Sequence, residues 1–90
     1  MKKLEIVVSG RVQGVSFRYF TVRLAQEYNI LGNVRNTLDG NVRIVAVGDI
    51  ENMELFLREL HKGPRSAFVE NIQITELAAT SDFKAFRIEY

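Results

Sequence analysis

Cysteine and tryptophan are absent from this 90-residue sequence, and there is one proline, Pro64, and one histidine, His61. Without cysteine there is no disulfide staple, no thiolate-held metal or iron–sulfur cluster and no cysteine nucleophile, and the composition suits a reducing, cytoplasmic location. Neither sign of charge is in clear excess: twelve basic residues face eleven acidic ones, for a net charge of +1. That balance lacks the strongly basic character of a nucleic-acid footprint, and no nucleic-acid partner is expected. Long apolar runs are missing too. Glu5 interrupts the start Met1-Lys2-Lys3-Leu4, so neither a signal peptide nor a membrane span is expected. With no Pro- or Ser-rich linker and too little chain for two cores, residues 1–90 are expected to form a single domain, acting as a monomer.

What is present is patterned. Leu4, Ile6 and Val8 alternate with Glu5, Val7 and Ser9, which predicts a strand over residues 4–9. From Phe17 the spacing lengthens to that of a helix, with Phe17, Phe20, Thr21, Leu24, Ala25 and Tyr28 on one stripe. Ser16 is placed to cap this helix with its side chain, and Asn29 to end it in the left-handed conformation. Residues 30–36 and 41–47 read as a hairpin turned at Asp39-Gly40; a two-residue loop would set Asn36 opposite Arg43, and a longer loop would shift that pairing. A second helix runs from Asp49, an N-cap, to the stop at Gly63-Pro64. Residues 69–75 and 83–90 predict two further strands. This order gives an α+β, ferredoxin-like split βαβ sandwich with a short terminal strand: two helices on one face of a mainly antiparallel sheet, the first and third strands adjacent at its centre.

Between the first strand and the first helix lies Gly10-Arg11-Val12-Gln13-Gly14-Val15-Ser16-Phe17-Arg18. The two glycines allow tight curvature and an unobstructed backbone, so that successive amides can converge on an anion beside the free amides of the helix start. Arg18 falls near the second helical position, where a cation opposes the helix dipole unless an anion lies between them. The competing explanation is a surface arginine after an ordinary glycine turn.

Other phosphate chemistries are excluded by what the segment lacks. It is no Walker loop, since no lysine follows Gly14. Val12 stands where a phosphatase loop would need a thiolate. His61 lies in the last turn of the second helix, where it suits the helix C-terminus better than service as a base, and no cluster of residues has metal-ligand spacing. Arginine and amide donors without nucleophile or metal suit only an already activated phosphate, attacked by a positioned water. Asn36, at the end of the second strand, is the candidate to orient that water, although an asparagine there also fits a turn.

The segment from Gly10 to Arg18, followed by Gly32-Asn33-Val34-Arg35-Asn36 and Asp39-Gly40-Asn41-Val42, resembles the two signatures of the acylphosphatase family. The resemblance implies hydrolysis of acyl phosphates to carboxylate and orthophosphate, with no metal or other cofactor and no covalent intermediate. It further implies that Arg18 binds phosphate together with the backbone amides of Gln13, Gly14, Val15, Ser16, Phe17 and Arg18, and that Asn36 orients the attacking water. The partners so implied are a small-molecule acyl phosphate and inorganic phosphate, as product or inhibitor. Asn33 and Arg43 depart from the family's usual aromatic and acidic residues, which bears on packing, charge near the mouth and substrate preference.

Two other readings share the element order. An RNA-binding module would present aromatic residues on its central strands, whereas residues 4–9 and 41–47 contain none. A non-catalytic anion-binding domain, or a relative of the acylphosphatase-like domain of larger hydrogenase-maturation proteins, is the other; the absence of a linker up to Tyr90 favours a free-standing enzyme.

Overall fold

Alternating apolar residues build the first strand of the sheet. The computed structural model describes residues 1–80 and 82–90. Strand β1 spans Lys2–Arg11, and Leu4, Ile6 and Val8 are buried along it while their neighbours are not. Helix α1 (Phe17–Glu27) follows, then β2 (Leu31–Asn36), β3 (Val42–Gly48), α2 (Ile50–Lys62), β4 (Phe68–Leu77) and β5 (Phe86–Ile88). The sheet order is β4-β1-β3-β2-β5, with β1 and β3 antiparallel neighbours. Only the β2–β5 pairing is parallel among the described strands. The architecture is the expected ferredoxin-like one.

The core lies between the helices and one sheet face. Ile6, Val8, Val34, Val42 and Ile44 meet Phe17, Leu24, Ala25, Met53, Phe56 and Leu60 there. Burial of an aliphatic or aromatic side chain contributes about 1.5–3 kcal/mol, so this layer is the main source of stability. Because strand side chains alternate, Asn33, Arg35 and Arg43 fall on the face away from the helices, where Arg43 Nη2 pairs with Glu5 Oε2 at 2.6 Å. The two departures, Asn33 and Arg43, therefore sit on the far side of the sheet from the α1 start.

Four local expectations are refined. Ser16 does not cap α1 with its side chain: its backbone is left-handed (φ 63°, ψ 24°), and no side-chain cap hydrogen bond forms. The hairpin closes over a longer loop, pairing Asn36 with Val42 and Arg35 with Arg43. Thr37 N–H donates to the Asn41 carbonyl (2.9 Å), and of Asp39 and Gly40 only Gly40 has positive φ, at 92°, as a type I turn closed by a left-handed residue requires. The terminal strand is confined to three residues, since it meets only Gly32, Asn33 and Val34 of β2. Asn29 (φ 55°) and the Asp49 cap, whose carboxylate accepts from Asn52 N–H at 2.8 Å, are as expected.

Candidate active site

The site begins where β1 leaves the sheet. The β1–β4 register shifts between Ser9 and Gly10, and at Gly10 (φ 122°) a Cβ would stand 2.3 Å from the Phe68 carbonyl oxygen. Only glycine fits this bulge. Val12 and Phe17 are buried at either end of the following loop and fasten it to the core. Between them Gly14 (φ 73°) and Ser16 (φ 63°) turn the backbone to the left-handed side and curl the loop. Around Gly14 a Cβ would meet nothing within 4 Å, so the curl is open to solvent on that side.

Among the described residues, no backbone carbonyl accepts from the amides of residues 13–18. The two helices differ sharply here. α2 has the Asp49 cap and Glu51 in its first turn, whereas α1 has no acidic residue in its first turn and no side-chain cap. The positive end of α1 is thus uncompensated, and Arg18, its second residue, adds a further cation. No carboxylate pairs with Arg18 among the described residues. Its guanidinium lies instead over the Tyr90 ring, 5.2 Å from the centroid.

Asn36 is the last residue of β2 and shares the helix-facing side of the sheet with Val34. Its Oδ1 is buried and has no hydrogen-bond partner, the one such side-chain atom among the described residues. A buried amide oxygen left unpaired costs about 1–3 kcal/mol, a cost that a donor supplied from the adjoining cleft would offset. Arg18 and Asn36 border one cleft of ≈ 440 Å³, together with Val12, Gly14, Ser16, Phe17, Tyr19, Ile88 and Tyr90. Of the sequence-predicted residues, the cleft gathers Gly14, Ser16, Phe17, Arg18 and Asn36; Gln13 and Val15 do not border it.

The side chain of Gln13 ties the loop down. Its Nε2 donates to the Thr37 carbonyl (2.8 Å) and the Asn41 carbonyl (2.7 Å), tying the loop to the turn that follows Asn36. Ser66 Oγ donates to the Val15 carbonyl at 3.3 Å from the other side. Sequence reasoning missed the Gln13 clamp and the contributions of Ile88 and Tyr90. Their proximity arises from the parallel pairing of β5 with β2, in which Glu89 N–H donates to the Val34 carbonyl at 2.8 Å. His61, by contrast, is exposed and places Nδ1 2.9 Å from the Leu57 carbonyl within α2.

A family model described as acylphosphatase matches residues 4–88. The chain belongs to the acylphosphatase family. An acylphosphatase of Oceanobacillus iheyensis is 43% identical over 91 residues, the match covering 100% of both chains. The crystal structure of acylphosphatase from Bacillus subtilis superimposes with a TM-score of 0.96 at 36% identity, again covering 100% of both. A segment of full-length HypF, crystallised in a phosphate- and nucleotide-bound form, is similar over 99% of this chain but only 12% of that one (TM-score 0.87, 30% identity). The protein is an acylphosphatase by family, an enzyme acting on acyl phosphates and releasing phosphate. Among the described residues no helix is long and apolar enough to cross a membrane, and no three His, Asp or Glu side chains are grouped to hold a metal.

Proposed function

We propose that this acylphosphatase holds the phosphoryl group of its substrate with the Arg18 guanidinium and the amides of residues 13–18, and that Asn36 orients the attacking water, without a metal or a covalent intermediate. The unpartnered Oδ1 of Asn36, a residue that borders the same cleft as Arg18, carries this reading. An amide oxygen is an acceptor only on that atom, and a water that donates to it turns a lone pair elsewhere. The phosphorus of a group held beside Arg18 is the electrophile within reach of that lone pair.

The oxygen–phosphorus bond forms as the bond from phosphorus to the acyl oxygen breaks, and the carboxylate leaves with the bonding pair. A carboxylate is a weak base and departs without a general acid. The water proton passes to a phosphate oxygen, completing orthophosphate. In a loose, in-line transfer the charge stays on the equatorial oxygens, where a planar guanidinium and fixed N–H dipoles stabilise it most. Asn36 contributes placement, since holding the water near attack distance replaces a bimolecular encounter.

We further propose that the protein acts as a single-domain monomer in the cytoplasm without a nucleic-acid partner, a reading that rests on the cysteine-free composition and the net charge of +1. The test is release of orthophosphate from benzoyl phosphate by purified protein in excess chelator, beside phenyl phosphate. Rapid cleavage of the first and little of the second is expected. Loss of activity in chelator, or equal cleavage of both, contradicts the mechanism.

A further inference from the structure

A second groove, of ≈ 470 Å³, runs along α1 and shares Ser16 and Tyr19 with the cleft that holds Arg18 and Asn36. Beyond that shared rim its floor is apolar, from Phe20, Leu24 and Pro64. Arg23, one helical turn past Tyr19, is exposed on its wall and has no carboxylate partner among the described residues. Glu27 lines the groove a further turn along α1. Asn36, Ile88 and Tyr90 border only the first cleft.

We propose that this groove is the acyl-group subsite and that Arg23 selects acyl phosphates whose acyl portion carries an anionic group at its far end. The inference rests on the phosphate site described under Proposed function. With water on the Asn36 side, an in-line displacement directs the leaving carboxylate away from Asn36, toward the rim formed by Ser16 and Tyr19. An acyl chain crossing that rim lies on Phe20 and Leu24, and a terminal carboxylate meets Arg23, whose planar fork suits it. Glu27 repels an anion that extends past Arg23, which limits the length of the chain. The occupant is therefore an apolar acyl chain ending in a carboxylate rather than a purely aliphatic or cationic one.

Rigid probes test the assignment: benzoyl phosphate, 4-carboxybenzoyl phosphate and its neutral isostere 4-carbamoylbenzoyl phosphate, compared by kcat/KM in the wild type, Arg23→Gln and Arg23→Glu. The carboxy-to-carbamoyl ratio is expected to exceed one in the wild type and to fall about fivefold in Arg23→Gln, the size of an exposed ion pair, chiefly through KM, and further in Arg23→Glu. An unchanged ratio, or an equal loss for all three substrates, overturns the subsite. Failure of the wild type to cleave any of the three contradicts the phosphate site itself, and with it the subsite. Arg23 is exposed on α1, so circular dichroism of both variants should match the wild type; a variant that loses the helical signal is replaced by Arg23→Lys, in which a retained ratio supports the charge and a lost one overturns it.

Discussion

Gln13 Nε2 donates a 2.8 Å hydrogen bond to the Thr37 carbonyl, joining the loop that precedes Arg18 to the residue that follows Asn36. The same nitrogen reaches the Asn41 carbonyl. Two loops far apart in sequence, each next to one half of the proposed chemistry, are tied together by one carboxamide beyond the end of the sheet pairing.

Gln13→Leu removes both N–H donors from carbonyls that keep other partners, Gly40 N–H at Thr37 and Thr37 N–H at Asn41, so the fold should lose about 0.5–1.5 kcal/mol for each lost hydrogen bond. The catalytic consequence should be a fall in kcat larger than the loss of phosphate affinity, because the Asn36 side moves relative to Arg18. Urea unfolding, kcat and the phosphate inhibition constant, measured on one preparation, check this. Equal effects on kcat and phosphate affinity contradict the clamp.

Asn36→Ala should separate activity from stability. Deleting a buried, unpaired oxygen should raise the unfolding free energy by about 1 kcal/mol, read as a higher urea midpoint at unchanged slope. Turnover of benzoyl phosphate should fall by at least about 10²-fold, as loss of a positioning group does, while inhibition by inorganic phosphate persists. Near wild-type turnover excludes the water-orienting role.

Arg18→Ala should abolish phosphate inhibition along with turnover, with a loss of about 10²–10³-fold or more in kcat/KM. Arg18→Lys should fail nearly as badly, because one ammonium does not reproduce the bidentate fork. Recovery of most activity in the lysine variant contradicts bidentate binding.

Tyr90→Ala removes the ring beneath the Arg18 guanidinium. An exposed cation–π contact is worth about 0.5–1 kcal/mol, so phosphate affinity should weaken two- to fivefold by about that energy, with a smaller change in kcat. Tyr90→Phe should restore the wild-type value, since the ring face and not the hydroxyl makes the contact.

The legibility of this molecule in its sequence follows the range of the forces involved. The alternation of Leu4, Ile6 and Val8, the stripe from Phe17 to Leu24, the Asp49 cap and the stop at Gly63 are local signals, and each has its expected place. The strand-to-helix turn and the position of Arg18 as second helical residue were legible for the same reason. Ser16 was not, because its left-handed backbone serves the curl of the loop rather than the cap that a serine usually supplies. Gln13 was legible as part of the loop backbone and not as a clamp, since its partners lie 24 and 28 residues away. Tyr90 over Arg18 depends on the parallel β2–β5 pairing, and periodicity within residues 83–90 carries no information about strand direction. The unpaired Asn36 oxygen is likewise a property of the folded surroundings.

In the proposed mechanism one phosphate is grasped by the amides of residues 13–18 and Arg18. Titration of ¹⁵N-labelled protein with orthophosphate, followed by amide ¹H–¹⁵N spectra, examines that grasp residue by residue. Saturable shifts largest at Gln13, Gly14, Val15, Ser16, Phe17 and Arg18, and lost in Arg18→Ala, are predicted. Saturable shifts centred elsewhere, with these amides unmoved, contradict it.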